Sequence, residues 1–181
     1  MRTSRTGLKL DTTFNKQCID EHNRLRKLHG CPPLFMDRNL AKGAQKYAES
    51  LVAKNEMKHD TARDFGENLA YFYNEAELHM LPKAASDMWY NEGKNYSYCS
   101  EAPEFGHFTQ LVWKETRYAG FGLAMDPSKE NVYIVGRYKP KGNISGQYEV
   151  NVPHPVDSHD NDEAQVSSSE MEFLNLGNKS T

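Results

Sequence analysis

Glu92 is the first residue of this chain whose position asks for a chemical explanation. It follows Met88 by four places and Trp89 by three, so on a helix it shares their apolar face. A carboxylate buried there without a partner is expensive, and either a partner or solvent must compensate it. Histidines are the natural partners. Of the seven, His154 and His159 fall in an acidic C-terminal stretch, His22 and His29 lie on a helical segment among solvated neighbours, and His79 lies in a polar link. His59 and His107 remain. His59 precedes Asp64-Phe65-Gly66-Glu67-Asn68, and His107 sits within Gly106-His107-Phe108. Spacing alone does not make them a metal site, because no HExxH and no zinc-finger pattern is present. A lone histidine is more often a residue whose ring nitrogens satisfy local hydrogen bonds than a ligand, and Glu92 reads equally as a solvated residue.

Nucleophilic chemistry is harder to place. No serine occurs between Leu51 and Ala85, the stretch around His59 and Glu67, and no GxSxG elbow exists. Thr109, close to His107, is a poor substitute. The three cysteines, Cys18, Cys31 and Cys99, are odd in number and widely spaced without a CxxC pair, as expected of reduced thiols in a reducing compartment.

The elements that must hold these groups follow from periodicity. Thr13 is placed to cap a helix to about His29, with Phe14, Cys18, His22 and Leu25 at helical spacing and Gly30-Cys31-Pro32-Pro33 as the stop. Asp37 is placed to cap a second helix to about Asn55, with the stripe Leu40, Ala44, Tyr47, Ala48, Leu51 and Val52. Residues 56–66 are polar. Pro82 opens a third helix to about Tyr98, and His107–Trp113 reads as a short fourth. Tyr118–Ala124 and Asn131–Tyr138 then read as a hairpin around Asp126-Pro127-Ser128-Lys129-Glu130, and Gly146–Val152 as a further strand. Helices first and strands later predict an α+β layered fold.

Charge divides the chain. Residues 154–181 carry six acids and one base, so the formal net charge of −3 is a body of +2 and a tail of −5. The tail is too polar to bury apolar surface and is expected to be disordered, as a third region after a loose segment 1–12 and a domain 13–153. Nothing in this balance points to nucleic acid. No apolar run follows the basic N-terminus as a secretory signal would, no stretch is long enough to span a bilayer, and Arg2 stands where N-myristoylation needs glycine. The expected setting is intracellular, which makes the glycosylation sequons at Asn95, Asn143 and Asn178 coincidental.

Four segments carry a resemblance. Gly106-His107-Phe108-Thr109-Gln110-Leu111-Val112-Trp113-Lys114-Glu115-Thr116 resembles the first signature of the CAP superfamily (cysteine-rich secretory, antigen 5 and pathogenesis-related proteins). Tyr133 to Ile144 resembles the second, and Gly66-Glu67-Asn68-Leu69 and Trp89-Tyr90-Asn91-Glu92 resemble two further family motifs. The resemblance implies a three-layer α-β-α sandwich with an antiparallel central sheet. It also implies a central cavity whose tetrad falls on His59, Glu67, Glu92 and His107, with His59 and His107 able to hold Zn²⁺ or another divalent cation. Gly136 departs from the pattern, since the family's signature has a disulfide-bonded cysteine there.

The subgroup most similar in these features is that of the Golgi-associated, cytosol-facing CAP proteins. The function the resemblance implies is binding of a sterol, fatty acid or acidic phospholipid and association with a membrane surface, without established enzymatic activity. Tyr96, Tyr98, Phe105 and Phe108 crowd the loop before the first signature, where aromatic rings suit a lipid or a bilayer interface as well as a protein core. Metal-assisted hydrolysis by the tetrad, and a protein-interaction scaffold or homodimer, are the competing readings.

Overall fold

In a computed structural model of the chain, residues 11–62, 64–74, 77–98, 100–101 and 103–156 are described here. Helix α1 (Thr12–Lys27) is followed by strand β1 (Phe35–Met36) and helix α2 (Arg38–Lys54). Strand β2 (Gly66–Tyr73), helix α3 (Leu81–Asn91) and helix α4 (Gly106–Val112) come next. Strands β3 (Tyr118–Met125) and β4 (Asn131–Lys139) and the single-turn helix α5 (Tyr148–Asn151) complete the order. The sheet runs β1-β3-β4-β2. Its three long strands are antiparallel, and β1 joins β3 in parallel through Phe35 opposite Tyr118 and Met36 opposite Ala119.

The sheet separates two cores. On one face α2 lays Ala44, Ala48 and Leu51 against Leu69, Ala124, Tyr133 and Val135. On the other, α1, α3 and α4 bury Trp89, Phe108 and Leu111 with Phe121, Ile134 and Tyr138. This is the α+β, three-layer sandwich expected from the sequence.

Several local expectations are corrected. The cap of α1 is Asp11, whose carboxylate accepts the Phe14 N–H at 2.9 Å, and not Thr13. His22 and His29 are buried although their neighbours are solvated: His22 continues the four-residue stripe of Phe14 and Cys18, and His29, in the turn after α1, is held by the Pro153 carbonyl and the Tyr90 hydroxyl. The α-helical part of α3 stops at Asn91, and a 3-10 turn of Glu92–Asn95 replaces the helix expected to reach Tyr98. Residues 146–152 form no strand. Asn151 instead turns back to accept the N–H groups of Lys114 and Glu115 on its backbone and side-chain oxygens, while Tyr148 packs edge-on against Trp113. Strand β2 was hidden from periodicity, because Leu69 and Ala70 are both buried, one on each face, so no alternation marks them. Cys18 and Cys31 are buried free thiols. Cys99, residues 1–10 of the N-terminal segment and residues 157–181 of the acidic tail lie outside the described residues. His154 stacks on Tyr98 at 4.0 Å, and the Val156 N–H reaches the Leu28 carbonyl at 2.9 Å.

Arg26 ties α1 to the segment after α4. Its fully buried guanidinium donates to the carbonyls of Pro32, Leu111, Trp113 and Thr116 at 2.8–3.1 Å. The Leu111 oxygen belongs to the last turn of α4 and would otherwise be orphaned, at a cost of about 1–3 kcal/mol.

His22 predicts a pH effect. Its ring contacts the Cys18 carbonyl and the Tyr138 hydroxyl, and burial pushes the imidazole down to about 3. An unfolded imidazole titrates near 6.5, so the stabilisation is complete above that pH and is lost as pH falls from about 6.5 towards 3. The swing is at most about 5 kcal/mol. A His22→Gln protein should show a flatter dependence of unfolding free energy on pH between 6.5 and 4 in denaturant titrations. An unchanged slope would remove His22 from the acid response.

Candidate functional site

The tetrad arises from four separate elements. His59 lies in the loop after α2, and Glu67 is the second residue of β2. Glu92 opens the 3-10 turn after α3, and His107 is the second residue of α4. They converge on a cleft of about 270 Å³ lined also by Pro103, Glu104, Gly106 and Asn143. The two imidazole centres stand 6.3 Å apart with planes inclined by 36°.

Each histidine is paired with one glutamate. His107 Nδ1 lies 2.7 Å from Glu92 Oε1, and the His107 backbone N–H donates to Glu92 Oε2 at 3.2 Å. His59 Nδ1 lies 3.0 Å from Glu67 Oε1. A carboxylate facing Nδ1 favours the proton on that nitrogen and leaves the Nε2 lone pair available. Neither Nε2 makes a hydrogen bond among the described residues. Exposure differs across the pair: the His59 side chain is 58% exposed and that of Glu67 is 7% exposed.

Glu67 has an anchor that sequence reasoning missed. Arg137, on β4 directly opposite Glu67 on β2, places Nε 3.4 Å from Glu67 Oε2 and donates from Nη2 to Asp60 Oδ2. The Asp60 N–H also donates to Glu67 Oε1 at 3.0 Å. The guanidinium lies between the rings of Phe65 at 4.1 Å and Tyr47 at 5.1 Å. The available signal was a lone cation within the apolar strand around Val135 and Tyr138.

The motif residues beside the tetrad hold the backbone. Asn68 Nδ2 donates to the His107 carbonyl at 3.0 Å. Asn143 donates to the Gly106 carbonyl and accepts from the Thr109 hydroxyl. Buried Gln110 accepts the Gly142 N–H at 2.8 Å and donates to the Thr116 hydroxyl. A side chain on Gly66 would place Cβ 1.9 Å from Gln110 Oε1, so only glycine fits before Glu67. At Gly136, where the signature that this segment resembles would have cysteine, a Cβ would meet the Tyr138 hydroxyl at 2.8 Å and the Phe121 ring at 2.9 Å. Packing here takes the space a half-cystine would need.

The four loop aromatics are not equivalent. Phe108 and Tyr96 are buried and pack together, while Tyr98 and Phe105 are half-buried around them. With Tyr90, Lys94 and Pro155, three of them, Tyr96, Tyr98 and Phe108, line a second cavity of about 320 Å³; Phe105 is not in its wall. Ser86 lies 3.2 Å from His22, but both are fully buried, so that pair serves packing and not catalysis.

No group of three or more His, Cys, Asp or Glu side chains is arranged to hold a metal ion among the described residues. The two imidazoles are the nitrogen donors that the cleft offers. With a Zn–N distance of about 2.0–2.1 Å and a tetrahedral angle, two ligating rings stand roughly 5 Å apart centre to centre; the observed 6.3 Å is wider, so the rings would have to approach by about 1 Å to share one ion.

Removing the Arg137 guanidinium leaves the Glu67 carboxylate enclosed and poorly paired. Arg137→Met should cost about 2–4 kcal/mol of stability. Combined with Glu67→Gln it should show a coupling of about 0.5–3 kcal/mol in a double-mutant cycle of unfolding free energies. Strict additivity would show that the pair is not coupled.

Comparison with known proteins agrees with this architecture. The model of the CAP, cysteine-rich secretory protein family matches residues 19–138. Golgi-associated plant pathogenesis-related protein 1 of Homo sapiens is 37% identical over 158 residues, covering 82% of this chain and 98% of that protein. Secreted protein RBT4 of Candida albicans is 37% identical over 147 residues, covering 78% of this chain but only 38% of its own length. A crystal structure of NaASP2 with Zn²⁺ shares the fold with a TM-score of 0.66 at 19% identity, covering 83% of this chain and 90% of that one. The interlocked signatures, the sandwich and these similarities together establish that the chain belongs to the CAP family.

Proposed function

We propose that this CAP domain binds lipid (a sterol, a fatty acid or an acidic phospholipid) at its aromatic loop and associates with membranes. The observation that carries the reading is the 320 Å³ cavity, where the rings of Tyr90, Tyr96, Tyr98 and Phe108 meet the Lys94 side chain. Apolar walls with one amine at the edge suit an amphiphile whose tail is buried and whose head is anionic or hydroxylated. The cytosolic face of Golgi membranes is the proposed location, in keeping with the name of the human relative. Among the described residues no helix is long and apolar enough to cross a membrane, so attachment by the described part would be peripheral.

A fluorescent fatty acid and a fluorescent sterol, titrated into the purified chain, test the lipid reading. Binding should saturate, and Tyr98→Ser with Lys94→Gln should weaken it at least about tenfold, the order expected for one stacking and one charged contact. No saturable binding of either probe would sink the lipid assignment.

We further propose that His59 and His107 hold a divalent cation such as Zn²⁺, with Glu67 and Glu92 orienting the rings through Nδ1. A bound ion would polarise a water or a ligand oxygen in the cleft. With only two protein ligands the affinity should be modest. It should also fall on acidification, because protons compete with the ion for the imidazole nitrogens. Titration calorimetry should detect Zn²⁺ heat for the native chain and none for His59→Ala/His107→Ala. Equal heats would remove the site.

A further inference from the structure

After α5 the chain crosses the rim of the aromatic cavity. Asn151 and Val152 are buried and tied in: the Asn151 carbonyl accepts the Lys114 N–H and the Val152 N–H donates to the Tyr148 carbonyl, both at 2.8 Å. Residues 153–156 then run over the surface, with His154, Pro155 and Val156 exposed. Pro155 forms part of the cavity wall, and the His154 ring stacks at 4.0 Å on Tyr98, another residue of that wall.

Besides this stack, two hydrogen bonds tie the segment down among the described residues. Val156 donates its N–H to the Leu28 carbonyl at 2.9 Å, and the Pro153 carbonyl lies 2.7 Å from His29 Nδ1. A carbonyl only accepts, so Nδ1 carries the proton and Nε2 accepts from the Tyr90 hydroxyl 3.0 Å away. Tyr90 lines the same cavity. One buried imidazole therefore links the segment to a ring of the wall.

Of the cavity's walls, this one is built to yield. About 320 Å³ is at the small end of the roughly 300–1,000 Å³ of ligand sites, so a sterol or fatty acid that buries its tail needs more room. Tyr96 and Phe108 are buried against each other, and a Cβ on Gly93 would stand 2.4 Å from the Phe108 ring, so that side has no slack. Residues 153–156 belong to no helix or strand and carry exposed side chains, the features of a segment that opens locally. Pro153 and Pro155 restrict the backbone on either side of His154, so the segment moves as a stiff unit.

We propose that residues 153–156 are a strap that lifts from Tyr98 and Leu28 to admit a ligand to the aromatic cavity and closes behind it. This rests on the lipid half of the functional reading and gives that site a gate, with His29 as the latch between strap and wall.

Stopped-flow uptake of a fluorescent fatty acid by the full chain, together with NMR of the His154 ring, tests the gate. His154 and Val156 lie outside the cavity wall, so replacing them removes no wall contact with the ligand. The native His154 ring protons should be displaced by the ring current of Tyr98. Val156→Pro, which deletes the donor to Leu28, should move them towards the positions of a free histidine. Val156→Pro and His154→Ser should each raise the association and dissociation rates together, about three- to tenfold, the range that one lost hydrogen bond or ring contact gives. A lost contact to the ligand itself would raise dissociation alone. Free-histidine positions in the native chain, saturable uptake at unaltered rates, or a rise in dissociation alone would overturn the gate and leave the lipid reading standing. Uptake by neither the native chain nor the variants would sink the lipid reading and the gate with it.

Discussion

One buried side-chain amide holds the two halves of the site in register. Gln110 is almost fully enclosed, and both ends of its amide are used, the oxygen by the Gly142 N–H and the nitrogen by the Thr116 hydroxyl. A buried amide with either end unsatisfied would cost free energy of the order of the contacts it makes, so the arrangement tolerates little slippage. Gln110 lies one turn after His107 on α4, and its oxygen occupies the space a side chain at Gly66 would need, next to Glu67. The same contact therefore sets the heights of His107 and Glu67 relative to each other. The signature residues around it, Thr109, Asn143 and Thr116, add a hydrogen-bonded seam between α4 and the segment after β4.

With that seam in place, the cleft divides its polar groups into holders and presenters. Arg137, Asp60 and the His107 backbone fix the two carboxylates. The carboxylates in turn face Nδ1 of each imidazole, leaving the other ring nitrogen without a partner among the described residues. The glutamates thus orient imidazoles and are themselves engaged by protein donors. Those partners fix the orientation of both rings within the cleft.

The aromatic cavity is a different kind of surface from the polar cleft. Around it, rings pack on one another and only their margins are open.

Much of this was legible from residue order alone. The amphipathic stripe of α2 and the hairpin of β3 and β4 follow from periodicity and residue type, which report what each segment does within a few neighbours; the four motifs were legible as a family resemblance. The resemblance those motifs carry brought His59, Glu67, Glu92 and His107 together before any coordinates did. What only the folded chain decided depends on contacts between residues far apart in sequence. Arg137 meets Glu67 across 70 positions, and Arg26 caps carbonyls about 85 to 90 positions away. Asn151 closes a turn where the sequence suggested a strand, and His29 is buried by Tyr90 and Phe108, which its own neighbours do not announce. Periodicity records whether a residue faces a core. It does not record which distant atom it meets there, and burial of a charged or hydrogen-bonding group is settled by that partner.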